Sequence, residues 1–258
     1  MVRSLSNNVL ALVPGTDRAD EYIIFTAHWD HFGLNPSLDG DQIFNGAMDN
    51  ATGIAGLIEL AQAFLSLEER QSRSIVLMAV TAEEQGLLGS SYYATDPVYP
   101  LEKTVAAINM DALNILGPMH DISIVGYGNS ELDDYLIEAA SNQERVVNPE
   151  SRPEAGSYYR SDHFPFAKVG VPALYANPGV DHKEHGPEWT KQWRDEYSAN
   201  HYHQPSDEYD PNWDLSGAID DLRLYFRVAY RLANETTFPN WNEGTEFKAI
   251  RDGMMGGR

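Results

Sequence analysis

The chain has 258 residues, 42% hydrophobic and 22% charged, which is enough apolar mass for one large globular core. Its 39 acidic residues against 18 basic ones leave a formal charge of −21, which argues against nucleic acid or an anionic lipid surface as a partner. Without cysteine there is neither a disulfide frame nor a thiolate metal site, and no apolar run approaches the roughly 20 residues of a membrane span.

The opening segment MVRSLSNNVL has no signal-peptide core. Residues 22–27 of EYIIFTAHWDH form an apolar run that predicts a buried strand ending in polar residues. DNATGIAGLIELAQAFLSL predicts a helix, with Ile54, Leu57, Ile58, Ala61, Phe64 and Leu65 on one face. Residues 74–82 give a second buried strand, TVAAINMDALN a third that ends near Asp111, and HDISIVGYG a fourth. SELDDYLIEAASNQ predicts a helix with Ser130 as its N-cap. VGVPALYANPG gives another short strand, and residues 214–235 a closing helix that starts near Asp214 or Ser216. Strands alternating with helices imply a layered α/β domain with no internal linker.

Three of the apolar runs end in similar chemistry: His28-Trp29-Asp30-His31, Glu83-Glu84 and Asn109-Met110-Asp111. In open α/β sheets the crevice at the carboxyl ends of parallel strands is the usual ligand site, so His28, Glu84 and Asp111 converge if their strands are parallel neighbours. Asp49 precedes a helix, where it is either a further ligand or an ordinary N-cap. Asp30, two residues after His28, is placed to accept the second ring proton of His28 and orient that ring.

In that order AHWDH, GAMDNATG, TAEEQGLLGS, INMDALN, YRSDHFPF and YHQPSDEYD resemble the motif set of the co-catalytic zinc aminopeptidases, over nearly the whole chain. That family includes bacterial leucine aminopeptidases, with glutamate carboxypeptidase II and the transferrin receptor among its relatives. The resemblance implies a three-layer α/β/α sandwich around a central, mostly parallel mixed β-sheet. It implies one catalytic domain over residues 1–258 without an accompanying protease-associated domain, and an extracytoplasmic location. It also implies two zinc ions bridged by Asp49, one taking His28 and Asp111 and the other Glu84 and His203. Four positive charges would then meet three carboxylates and a bridging hydroxide, a balance that a partly buried site tolerates.

Glu83 is then expected as the general base, taking a proton from the attacking water and returning it to the leaving amine. Tyr158 matches the position of a tyrosine that stabilises the oxyanion, with Tyr159 as its competitor. His203 is favoured over His201 because HQPSDE resembles the family's His-x-x-x-Asp pattern, in which Asp207 is expected to support it. Asp162 and His163 are expected to brace the tyrosine loop, and Phe164, Pro165 and Phe166 to hold it in place of the disulfide some relatives carry. His182 and His185 have a metal-binding spacing, but Gly186-Pro187 argues for a loop there. A cis peptide is expected between Asp49 and Asn50.

The implied substrate is a peptide with a free N-terminus. Alternatives within the same resemblance are a mono-zinc glutaminyl cyclase and a carboxypeptidase or dipeptidase. A non-catalytic binding module like the transferrin receptor is disfavoured, because all five ligand positions and Glu83 are filled by competent residues. Side-chain preference and oligomeric state are not fixed by the sequence.

Overall fold

The computed structural model describes residues 4–256; the first three residues of the opening segment and the last two of the expected 1–258 domain lie outside it. Nine strands are described: β1 (Val9–Val13), β2 (Arg18–His28), β3 (Gly33–Leu34), β4 (Ile43–Phe44), β5 (Arg73–Val80), β6 (Thr104–Asn109), β7 (Asp121–Ile124), β8 (Val146–Pro149) and β9 (Ala173–Pro178). The helices are α1 (Thr52–Leu65), α2 (Leu88–Thr95), α3 (Leu132–Ser141), α4 (His163–Lys168), α5 (Gly186–Asn200), α6 (Ser216–Asn234) and α7 (Lys248–Met255).

Seven strands form one sheet in the order β1-β5-β2-β6-β9-β7-β8, while β3 and β4 make a separate ribbon. Within the main sheet β5-β2-β6-β9 run parallel, β1 and β7 enter antiparallel, and β8 pairs parallel with β7. Strict alternation along β2 feeds two cores. Ile23 and Phe25 pack with Leu57, Leu60 and Phe64 of α1 and with buried residues of α3 and α6. Ile24 packs on the other face with Tyr93 of α2, Phe166 of α4 and Phe247 beside α7. The result is the expected α/β/α sandwich on a mixed, mostly parallel sheet.

Three details depart from expectation. The buried face of α1 is Gly53, Gly56, Leu57, Leu60 and Phe64, whereas Ile58 and Leu65 of the predicted stripe are exposed. Two glycines take inner-face positions, where a Cβ at Gly53 would meet the Asn50 side chain and one at Gly56 would meet Leu113, Leu222 and Met110. Residues 186–200 form a full helix, with Pro187 in its first turn, where its missing N–H costs nothing. His182 and His185 lie in the turn before it. Ser130 is not the N-cap of α3: that position is Glu131, and the Ser130 hydroxyl one residue earlier accepts the Leu132 amide at 3.3 Å.

Candidate metal centre

Because β5, β2 and β6 are parallel neighbours, their carboxyl ends open on one crevice. β2 ends at His28, the turn after β5 carries Glu83 and Glu84, and Asp111 lies just past β6. Asp49 comes from the wide helical turn Ala47–Ala51, and the bond from Asp49 to Asn50 is cis, as expected. Asp49 is not the cap of α1. The side-chain oxygen of Asn50 accepts the Gly53 amide at 3.0 Å and the Ala112 amide at 3.1 Å, while its nitrogen donates to the Met110 carbonyl at 2.9 Å. Asn50 thus caps the helix and ties it to the end of β6, leaving the Asp49 carboxylate free.

That carboxylate stands between two histidines. Its Oδ1 is 3.0 Å from His28 Nε2 and its Oδ2 is 3.4 Å from His203 Nε2. His28 Nε2 also faces Asp111 Oδ1 at 3.4 Å, and His203 Nε2 faces Glu84 Oε2 at 3.3 Å. One ligand-type atom from each of His28, Asp49 and Glu84 falls within 4.8 Å of the others.

His28 Nδ1 lies 2.9 Å from the Asp30 carbonyl oxygen, which can only accept, so Nδ1 carries the ring proton. The other nitrogen, buried and without a hydrogen bond, then points at two carboxylates. A lone pair facing carboxylates is repelled unless a cation sits between them. Burial opposes charge on His28, yet with no metal between them the Asp111 and Asp49 carboxylates outweigh it, draw a second proton onto Nε2 and push the pKa up to about 12. Burial likewise opposes charge on Asp49, but His203 and His28 hold it well below the usual carboxylate range. A nitrogen-and-oxygen donor set with this demand for positive charge fits divalent zinc.

The supports differ from expectation. The Asp30 carboxylate does not reach His28; its main-chain carbonyl does. The carboxylate instead accepts the Ala82 amide at 2.7 Å and the Thr81 hydroxyl at 2.9 Å, holding the turn that aims Glu83. Asp207 does not support His203 either; it accepts the amides of Met48 at 3.0 Å and Asp49 at 3.1 Å, fixing the turn that presents Asp49. His31, which no motif logic singled out, stands 2.7 Å from Glu84 Oε1. Ser161 donates to Asp111 Oδ2 at 2.6 Å and accepts from Asn109 at 2.7 Å. Gly46 sits at φ +60, and a Cβ there would come within 2.4 Å of the Asp49 carbonyl oxygen.

Among the described residues, five non-glycine positions have left-handed backbone: Ala82, Leu87, Ala112, Glu144 and His203. All but Glu144 are in or beside the site, where such conformations, at about 1–3 kcal/mol each, concentrate.

Glu83 is buried at the edge of the cleft, and burial, with Asp111 and Asp162, pushes its pKa up to about 9. Tyr158 is displaced from its expected role. It is 8% exposed and packs edge-on to His163 and Phe164 in the core behind the cleft. Any side chain at Gly126 would strike its ring, a Cβ coming within 2.3 Å. The phenols that line the cleft are Tyr159, Tyr175, Tyr197 and Tyr202, and the Tyr202 ring stacks on His203 at 3.7 Å. Adjacency to His203 is the sequence signal that could have found Tyr202. Asp162 accepts a hydrogen bond from Ser90 of α2, which ties the start of α4 to α2.

Residues 8–227 match peptidase family M28. A glutamate carboxypeptidase 2 homolog of Caenorhabditis briggsae is 30% identical over 68% of this chain and 22% of its own length. Aminopeptidase YwaD of Bacillus subtilis is 27% identical over 71% of this chain and 39% of its own length. The chain therefore spans well under half of either relative. Among solved structures, BSAP, a zinc aminopeptidase from Bacillus subtilis, superposes with a TM-score of 0.64 at 20% identity, covering 93% of this chain and 52% of that one. The LapA aminopeptidase of Legionella pneumophila gives 0.64 at 20% identity, over 89% and 56%. The family match covers most of the sequence and all the elements that build the crevice, and the chain belongs to peptidase family M28.

Proposed function

We propose that this domain is a zinc-dependent aminopeptidase with two metal positions. His28, Asp49 and Asp111 would hold one ion, and Asp49, Glu84 and His203 the other. The observation that carries the proposal is that the two oxygens of Asp49 face two different histidines, the arrangement a bridging carboxylate needs. When bound, such ions polarise the scissile carbonyl and acidify the attacking water.

The chain's own groups supply the rest. Glu83 accepts the proton of the attacking water and passes it to the leaving amine. Burial, with Asp49, Glu84 and Asp111, keeps the Tyr202 phenol protonated, so it can donate to the oxygen on which charge develops. Residues 4–256 would form one catalytic unit. No described helix is long and apolar enough to cross a membrane. An extracytoplasmic location belongs to the same proposal, in keeping with a structural neighbour, 23% identical, that is a peptidase M28 precursor from Shewanella amazonensis; fractionation of expressing cells tests it.

The decisive experiment combines metal analysis with turnover of aminoacyl and N-blocked substrates. We expect two zinc ions per chain, loss of activity with chelator, and turnover only of free-amine substrates. Glu83→Gln keeps its metal and loses roughly 10²–10⁴ in kcat. Full activity in that variant, or one tight zinc with cyclase activity, would overturn the proposal.

A further inference from the structure

The cleft beside the metal centre encloses about 790 Å³ and has two unlike walls. One carries Asp49, Glu83, Glu84, Asp111 and His203. The other carries Arg152, Arg160 and Lys168, with Arg194 and Asp195 of α5 also on the lining, in a chain where acidic residues outnumber basic ones by 39 to 18. The side chains of Arg152, Arg160 and Lys168 belong to exposed residues, and among the described residues none of the three has a carboxylate within ion-pair distance. Unpaired cations on so acidic a protein are where an anionic ligand is attracted rather than repelled.

Their placement is built, not incidental. Arg160 directly precedes Ser161, whose hydroxyl is fixed on Asp111 Oδ2 at 2.6 Å. Its main chain is therefore anchored one residue from the metal wall. Lys168 closes α4 with its ammonium 5.4 Å from the Phe164 ring centroid, and Phe164 also lines the cleft. Arg152 precedes the short helical turn Pro153–Ala155 on the same wall. Once cations neutralise the ligand carboxylates, this wall leaves the cleft positive.

We propose that Arg160, backed by Arg152 and Lys168, forms a carboxylate-binding subsite, so that the preferred substrates are short peptides carrying a carboxylate next to the scissile bond. The inference rests on the peptidase function proposed above and deepens it to a substrate class. The carboxylate has two possible sources, an acidic side chain or the free C-terminus of a dipeptide. A bidentate guanidinium–carboxylate pair, screened from solvent only by the bound peptide, discriminates about tenfold against the uncharged isostere.

The test uses four peptides with free N-termini: Ala-Gln-NH2, Ala-Glu-NH2, Glu-Gln-NH2 and Ala-Gln. Relative to Ala-Gln-NH2, we expect at least one carboxylate-bearing peptide to show kcat/KM about tenfold higher, and which one it is identifies the source. Arg160→Gln should shrink that ratio to about twofold, while Arg70→Gln, which removes an exposed arginine outside the cleft, should leave it unchanged. Raising the salt concentration should erode the preference. Equal kcat/KM for all four peptides, or the same loss of ratio in Arg70→Gln, overturns the subsite. If none of the four is hydrolysed, the peptidase function is what fails. Calorimetric binding of the same peptides then judges the subsite alone: about tenfold tighter binding of an acidic peptide, lost in Arg160→Gln, upholds it, and equal binding sinks it.

Discussion

The two walls of the cleft are made in different ways. The metal wall stands on strand ends, and its groups are cross-tied by Asn50 to β6, Asp30 to the turn after β5, Asp207 to the turn bearing Asp49, and Ser161 to Asp111. His28 and Asp49 there are only 1% and 6% exposed. The opposite wall is loop and short helix, held from behind by the packing of Tyr158, His163 and Phe164, and its front residue Tyr159 is 56% exposed. Groups that do chemistry need fixed positions and satisfied partners, while groups that meet variable substrates tolerate looser support. Each prediction below removes one support and asks which wall feels it.

After Glu83→Gln, the largest effect is expected from the tyrosines. Tyr202→Phe removes the phenol stacked on His203 and should lower kcat about a hundredfold, the scale for loss of one donor to a developing oxyanion. Tyr158→Phe removes a hydroxyl buried away from the cleft and should leave kcat within about threefold. Steady-state kinetics of the two variants side by side decide the matter, and the reverse pattern would return the catalytic role to Tyr158.

A smaller loss is expected at Asp30. Asp30→Ala leaves the Ala82 amide without its acceptor and frees the turn that aims Glu83, so kcat should fall about 10–100-fold with little change in KM. Asp30→Asn keeps an oxygen that can accept from Ala82 and should recover much of the loss. If the alanine variant changes only stability, Asp30 belongs to the fold and not to the positioning of Glu83.

The same division decides what is legible in the sequence. The second half of β2 and most of β5 and β6 are near-continuous apolar runs buried on both faces, and each delivers a polar group at or just past its end, so both strands and candidate ligands can be read directly. β1 and β8 are edge strands with mostly exposed or half-exposed residues, so no alternation announces them. α5 buries only Thr190 and opens with Gly-Pro, which imitates a loop. The supports are hidden for another reason: Asp30 and Ala82, Asn50 and Met110, and Asp111 and Ser161 are joined only by sheet topology. The choice between Tyr158 and Tyr159 depends on which way a three-residue turn faces, and no periodicity records that.

The smallest and most selective probe acts behind the loop wall. The His163 ring is wholly buried, 4.8 Å from the Tyr158 ring and 5.0 Å from Tyr175, and burial pulls its pKa down from 6.5 to about 3. Between those values the unfolded chain binds the proton and the folded chain does not. The stability that comes from keeping this ring neutral is complete above about pH 6.5 and is lost as pH falls toward 3, by up to about 1.4 kcal/mol per pH unit. Its neighbour Asp162 runs the other way, because burial raises its pKa from 3.8 to about 7 and the folded chain binds that proton first. Whole-protein acid denaturation therefore mixes opposite slopes with the titration of the ligand carboxylates. The difference between wild type and His163→Phe, measured by denaturant unfolding from pH 7 to pH 4, cancels every group but one. We expect the variant to gain on the wild type steadily as pH falls. Parallel curves would mean that the ring is not held neutral in the core, and that the loop wall has some other support.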